Sequence, residues 1–232
     1  RQINDKSGND YHMIQDSASR KPTTGSRRIN SLNVLDGDGG DYMSTTSLAS
    51  FPGDLSVFIV AEIDDPTNTN AGIFATASSG NQIDFYSQNS SNWNGRLRIE
   101  ENGGSTIYSD TFTGAPHLGP SIYNPTWSNS SNIMYGYLDG VKLTSNEDIS
   151  TKLIDTTDVT MALFTKVANF AQQPDGALGE TIIVSDLTEA TRQRIEGYLA
   201  HKWGLANNLE ATHPYRHFPP HWHPQLNRSF YK

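Results

Sequence analysis

Three acids set among glycines, Asp36-Gly37-Asp38-Gly39-Gly40-Asp41, are the residues of this chain best suited by type and spacing to hold a metal. Hard cations take oxygen ligands from flexible loops, and here three carboxylates stand beside glycines that leave carbonyl oxygens accessible. Calcium is the ion such a loop would take, with Asp36, Asp38 and Asp41 as ligands and Asp175, next to Gly176, as a further one if the fold brings it near. The competing reading is a glycine-rich turn whose aspartates bond their own backbone. The loop also lacks the glutamate and the spacing of an EF-hand.

A second chemistry is sugar recognition, which needs an aromatic face for apolar C–H groups beside amides that hydrogen-bond hydroxyls. The segments 89–94 and 123–132 supply Trp93, Asn94, Tyr123 and Trp127 among many Asn and Ser, and suggest a platform on surface loops. Against this stands the tendency of large aromatics to be buried as anchors of their own loops.

Catalysis has less support. A retaining glycosidase needs two carboxylates about 5 Å apart, and Glu62-Ile63-Asp64 begins the alternating Glu-x-Asp-x-x-Glu arrangement that would provide them. It continues as Asp65-Pro66-Thr67, without the second glutamate. A lyase set of Gln, His, Tyr and Arg on adjacent strands meets Gln82-Ile83-Asp84, with an acid where the imidazole belongs. The expectation is a non-enzymatic protein. His213, His217, His221 and His223 are interrupted by Pro214, Pro219, Pro220 and Pro224, which break the geometry a shared metal would need. Sequons at Asn89, Asn129 and Asn227 matter only in a eukaryotic secretory pathway.

The elements that must position these residues read as strands. Leu55 to Ile63 is almost continuously apolar, as expected of a central strand buried on both faces. Asn81 to Ser87 and Gly95 to Glu101 alternate with period two, and Asn102-Gly103 marks a hairpin into residues 105–109. The proline-rich segment 112–132 reads as a long surface loop. About ten strands without crossover helices imply a two-sheet antiparallel sandwich. One helix, over 188–203, is expected to cover an edge or an open end of it. Asp186 and Thr188 can cap its start and Gly204 its end. Ile195, Tyr198, Leu199 and Trp203 share a helical face, with Arg192, Glu196 and Lys202 directed elsewhere and Arg192 spaced to pair with Glu196. Residues 1–205 form the sandwich with its helix, and 206–232 an extended Pro/His-rich tail suited to assembly.

Composition narrows the partners. Of 232 residues 35% are hydrophobic and 18% charged, and the net charge is −8 with no basic run beyond Arg27-Arg28. Nucleic acid is therefore an unfavoured partner. There is no cysteine, and no apolar run approaches the roughly 20 residues of a membrane span. The polar opening RQINDKSGND, without an initiating Met, suggests a processed or partial chain whose first strand lies upstream.

Four stretches together resemble a known family: DKSGN at 5–9, QDSASRKPTTGSRRINSLNVLDGDGGDYM at 15–43, YLDG at 137–140, and RQRIEGYLAHKWGL with HPYRHFPP within 192–220. They are similar to laminin-G-like, concanavalin-A-like jelly-roll domains of marine bacterial surface proteins and phage virion proteins. The resemblance implies an all-β jelly roll with one C-terminal helix. It implies a non-catalytic module for binding or structure, extracellular or on a virion surface, with a glycan, a surface protein or its own copies as partner and calcium at the rim. A polysaccharide-degrading enzyme of the same fold and a purely self-assembling structural protein are the alternatives.

Overall fold

A strand without a polar side must be covered twice, and the Leu55–Ile63 run sets the architecture accordingly. The computed structural model describes residues 2–64, 71–87, 95–101, 106–108, 119–143, 146–151, 154–166 and 172–220. In chain order the strands are β1 (Gln2–Ile3), β2 (Met13–Ile14), β3 (Thr23–Ile29), β4 (Leu32–Asp38), β5 (Met43–Ser44), β6 (Asp54–Ile63), β7 (Gly72–Ala77) and β8 (Asn81–Ser87). They continue with β9 (Gly95–Glu101), β10 (Thr106–Tyr108), β11 (Ser121–Ser128), β12 (Ile133–Leu138), β13 (Val141–Lys142), β14 (Glu147–Asp148), β15 (Thr160–Leu163) and β16 (Asp175–Val184). Helix α1 (Glu189–Trp203) follows. The first sheet runs β1-β2-β5-β15-β7-β8-β9-β10 and the second β13-β12-β11-β6-β16-β4-β3, with β14 beside β12. Every pairing among the described residues is antiparallel.

Alternation along β6 divides its side chains between two cores. Leu55, Val57, Ile59, Ala61 and Ile63 face the first sheet and meet Ile73, Phe74, Ile83, Phe85, Leu97 and Ile99. Phe58 and Val60 face the other way and meet Leu199, Ala200, Trp203 and Leu209. Helix α1 therefore lies across the outer face of the second sheet, which corrects the expectation of an edge or open end: an exposed Phe58 and Val60 would leave apolar surface in water.

The expected hairpin pairing of β9 with β10 is present, with Ile107 opposite Ile99; its Asn102-Gly103 turn lies outside the described residues. The long loop expected over 112–132 is corrected in its second half. Residues 121–128 form β11, buried throughout and paired on both sides. Proline hides this strand from a sequence reading because it cannot donate to a ladder. The flanking pairs put Pro125 opposite Val57, and the Val57 carbonyl accepts instead from Asn124 Nδ2 at 2.9 Å. Asn124 thus supplies the hydrogen that its neighbour lacks.

The ends of the helix agree with the sequence. Thr188 is the N-cap, Asp186 Oδ1 accepts from Thr188 N–H at 2.9 Å, and Gly204 takes the left-handed conformation with φ 73°. Its sides differ from expectation, because residues 206–220 turn back over it instead of extending away. His201 Nε2 lies 2.8 Å from the Tyr215 carbonyl, and a Cβ on Gly197 would stand 2.4 Å from Tyr215 Cβ, so only glycine fits there. Residues 221–232 lie outside the described residues. This return segment buries Glu196 completely; the acid accepts from Arg192 Nη1 at 2.7 and 2.9 Å and lies 3.1 Å from His213 Nε2. His213 Nδ1 accepts from Tyr215 N–H at 3.2 Å, which leaves Nε2 to carry the proton and donate to Glu196. The Arg192 guanidinium stacks 4.0 Å from the Tyr137 ring centre, tying the β12–β13 turn to the helix.

Removing one member of a buried pair strands its partner. Glu196→Ala is expected to cost about 3–5 kcal/mol in urea unfolding, whereas Glu189→Ala at the exposed helix start is expected to cost less than about 1 kcal/mol.

Candidate functional site

Strand pairing brings the glycine-interspersed acids to one place. Asp175 stands opposite Asp38, and Ala177 opposite Asp36, in the β16–β4 ladder. Asp36, Asp38, Asp41 and Asp175 line an open cavity of about 370 Å³ with Lys21 and Thr23. The condition set for Asp175 as a further ligand, that the fold bring it near the loop, is met by this pairing. Two of these acids have partners of their own. Asp36 accepts from Ser26 Oγ at 2.9 Å and lies 3.6 Å from Arg27 Nη1, and Asp38 Oδ1 accepts from the Gly40 N–H at 3.0 Å. Among the described residues no three acid or histidine side chains stand together as a metal site. Of the three loop acids, Asp38 bonds the backbone of its own turn, while Asp36 is turned to Ser26 and Arg27 on β3. Asp41 is buried, and burial with Asp38 and Asp36 nearby holds its carboxyl above the ordinary carboxylate value.

Glu62 and Asp64, the start of the glycosidase pattern, both bind one guanidinium. Arg27 Nη2 is 2.8 Å from Glu62 Oε2 and donates to Asp64 Oδ1 at 2.6 Å, while Nη1 donates to Asp64 Oδ2 at 2.5 Å. They neutralise a cation at the end of β6.

The proposed aromatic platform is corrected for two of its members. Tyr123 and Trp127 are core residues of β11 directed between the sheets, where Trp127 packs 6.0 Å from Phe74 and Tyr123 5.8 Å from Phe85. Burial holds the Tyr123 phenol well above its ordinary value, with Asp139 adding to the effect. Rings closed in this way offer no face to a sugar. Trp93 and Asn94 lie outside the described residues, in the connection between β8 and β9.

The structure gathers a different group on the outer face of the first sheet. Along β8 and β9 the inward residues Ile83, Phe85, Leu97 and Ile99 alternate with Gln82, Asp84, Tyr86, Arg96, Arg98 and Glu100. The register pairs Gln82 with Glu100, Asp84 with Arg98 and Tyr86 with Arg96. Gln82 Nε2 donates to Glu100 Oε2 at 2.9 Å. Arg98 donates from Nε to Asp84 Oδ2 at 3.1 Å, contacts the same oxygen through Nη2, and lies 2.5 Å from Glu100 Oε2 through Nη1. Burial lowers the Arg98 pKa, but Asp84 and Glu100 outweigh it and hold it above its ordinary value. Asp84 is fully buried and Tyr86 nearly so.

Lys166 completes the group, and a glycine allows it to. Beyond β15 the chain passes so close to β7 that a Cβ on Gly72 would stand 2.3 Å from the Thr165 carbonyl carbon and 2.4 Å from Lys166 N. That approach sets Lys166 Nζ 4.0 Å from the centre of the Tyr86 ring, opposite Gly72 in the ladder. Sequence reasoning registered the alternation on both strands but not their register, because a connection as long as 88–94 does not fix it as a two-residue turn would. It also passed over GIFATA at 72–77, a strand of small residues with no period.

No family model and no curated protein matches this chain. Solved structures do. Domain 4 of AbnA, a GH43 extracellular arabinanase from Geobacillus stearothermophilus in complex with arabinotriose, aligns with a TM-score of 0.55 at 14% identity, over 70% of this chain and 75% of that one. The CBM40 of the Ruminococcus gnavus IT-sialidase, bound to α2,3 sialyllactose, gives 0.53 at 10% identity over 68% and 93%. The native heptameric SAP-like pentraxin of Limulus polyphemus gives 0.50 at 16% identity over 68% and 75%. The chain is thus a two-sheet antiparallel jelly-roll sandwich of the concanavalin-A-like class, with one C-terminal helix. No helix among the described residues is long and apolar enough to cross a membrane.

Two measurements probe these sites. A carboxyl whose folded pKa is raised contributes stability below its unfolded value, near 3.9, that is lost as pH rises through the folded value. Thermal melts in EDTA are expected to show Asp41→Asn matching the parent near pH 3 and exceeding it at pH 7; a gap independent of pH would refute this. Gly72→Ala is expected to destabilise by about 1–3 kcal/mol or more in urea, because a backbone segment must move to admit the methyl group.

Proposed function

We propose that this protein is a non-catalytic jelly-roll module, displayed on a virion or bacterial surface, that binds a glycan through the outer face of its first sheet. One contrast between the two outer faces carries the reading. The second sheet's outer face is apolar and sealed by α1, whereas the first sheet's outer face holds Gln82, Asp84, Tyr86, Arg98, Glu100 and Lys166 in one connected cluster. Buried charge opposes folding unless it is compensated, and such clusters concentrate at functional sites. Gln82 and Glu100 supply hydrogen-bonding groups at the rim, and Trp93 lies in the connection that follows Tyr86 along the chain.

The likeness in fold to the arabinanase domain and the CBM40, each solved with an oligosaccharide, supports a glycan over other ligands. The non-catalytic part of the proposal rests on Glu62 and Asp64, since acids held by one guanidinium do not divide the roles of proton donor and nucleophile.

A glycan array is expected to return a defined set of oligosaccharides. Gln82→Ala, Glu100→Gln and Trp93→Ala should each weaken binding about ten-fold, the effect of one lost charged or stacking contact. Val141→Ser, on the second sheet, should not. Undiminished binding in all three variants, or no binding to any glycan, would defeat the proposal.

A further inference from the structure

The cover that α1 gives the second sheet stops at Gly204. There, between the helix end, the β3–β4 turn and the start of β11, lies an open cavity of about 540 Å³, within the roughly 300–1,000 Å³ of small-molecule sites. Trp203 and Leu205, each 5% exposed, give it an apolar floor, and Arg28, Asn30, Glu62 and Asn208 supply its polar walls. The wall groups come from four different parts of the chain. Asn30 sits in the β3–β4 turn at φ 46° and donates from Nδ2 to the Lys202 carbonyl at 2.9 Å. Gly204 permits that contact, since a Cβ there would stand 2.9 Å from Asn30 Cγ. Asn208 donates from Nδ2 to the Pro120 carbonyl at 3.2 Å. Each amide thus spends one hydrogen on the fold and is oriented by it, while its carbonyl oxygen accepts from no group among the described residues. Glu62 meets Arg27 through Oε2 at 2.8 Å. Arg28 is exposed and has no hydrogen bond or ion pair among the described residues, so the fold does not depend on its guanidinium.

We propose that this cavity is a binding site for one neutral sugar residue. It lies on the other sheet from the face assigned above, and the two sites stand or fall independently. A sugar hydroxyl donates and accepts at the same atom, which suits walls where two amide oxygens and a carboxylate accept and a guanidinium donates. An anion in the cavity would face Glu62 and a cation would face Arg28, so neither charge suits it. The apolar C–H side of the sugar ring packs on Trp203 and Leu205, and Arg28 donates a charge-assisted hydrogen bond to an outer hydroxyl.

The test is an NMR titration of the isotope-labelled full chain with glucose, galactose, mannose and arabinose in turn, and with glucuronate and glucosamine as charged counterparts. The side-chain amide signals of Asn30 and Asn208 and the indole signal of Trp203 report on this cavity. At least one neutral sugar is expected to move these signals saturably. Arg28→Ala should weaken that binding about ten-fold, the effect of one lost charged hydrogen bond, with the melting temperature unchanged. Asn208→Ser, which shortens the opposite wall, should weaken it as well, and Glu189→Ala, at the far end of α1, should leave it as it is. No movement of these signals with any neutral sugar overturns the site, even where a sugar binds elsewhere on the chain. Tighter binding of glucuronate or glucosamine than of every neutral sugar overturns the neutral assignment. Undiminished binding in both Arg28→Ala and Asn208→Ser overturns the walls proposed here.

Discussion

The burial of β6 on both faces is the constraint from which the rest follows. A strand reading Leu-Ser-Val-Phe-Ile-Val-Ala cannot face water on either side, so one side takes the first sheet and the other takes α1. Each apolar side chain moved out of water contributes about 1.5–3 kcal/mol, and Phe58 and Val60 have only the helix and the returning C-terminal segment to cover them. The helix must therefore lie flat on the second sheet. Gly179 supports this by leaving room for Trp203, whose ring carbons would stand 3.0–3.1 Å from a Cβ there. Trp203 Nε1 then donates to Glu180 Oε2 at 3.1 Å, which fixes the last helical turn on β16.

Covering one outer face releases the other. With α1 on the second sheet, the outward residues of β8 and β9 are not called on to build a core, and they carry acids, arginines and a tyrosine. The two sides of the sandwich thus differ in kind: an apolar core lies under the helix on one, and a cluster of buried and half-buried charges lies on the side that Lys166 reaches over Gly72.

Local signals made much of this legible in advance. Thr188 and Gly204 mark the helix because capping is a property of a few adjacent residues, and the β6 run announces a strand buried on both faces. The paired β9 and β10 were similarly readable from Asn102-Gly103. What escaped was set by partners distant in sequence. Pro125 in the middle of β11 argues against a strand until Asn124 is seen to satisfy Val57. Glu196 looks like an exposed helix position until His213, 17 residues on, folds back onto it. Tyr123 and Trp127 resembled a sugar platform because Asn and Ser surround them, and their burial depends on a register with β6 that no neighbouring residue states. Asp84 and Arg98 became a pair only when a ladder with a long connection settled its alignment.

Two buried ionic clusters in one small sandwich allow a distinction that neither would support alone. Around Glu196 the partners are complete: Arg192 and His213 occupy its oxygens, Arg192 rests on Tyr137, and His213 is held by Tyr215. Such a set keeps a helix, a turn and a returning segment in one arrangement and presents no surplus charge to a ligand. Around Asp84 the set is of another kind: Arg98 serves both Asp84 and Glu100 across the β8–β9 ladder, and the Lys166 ammonium lies on the face of Tyr86.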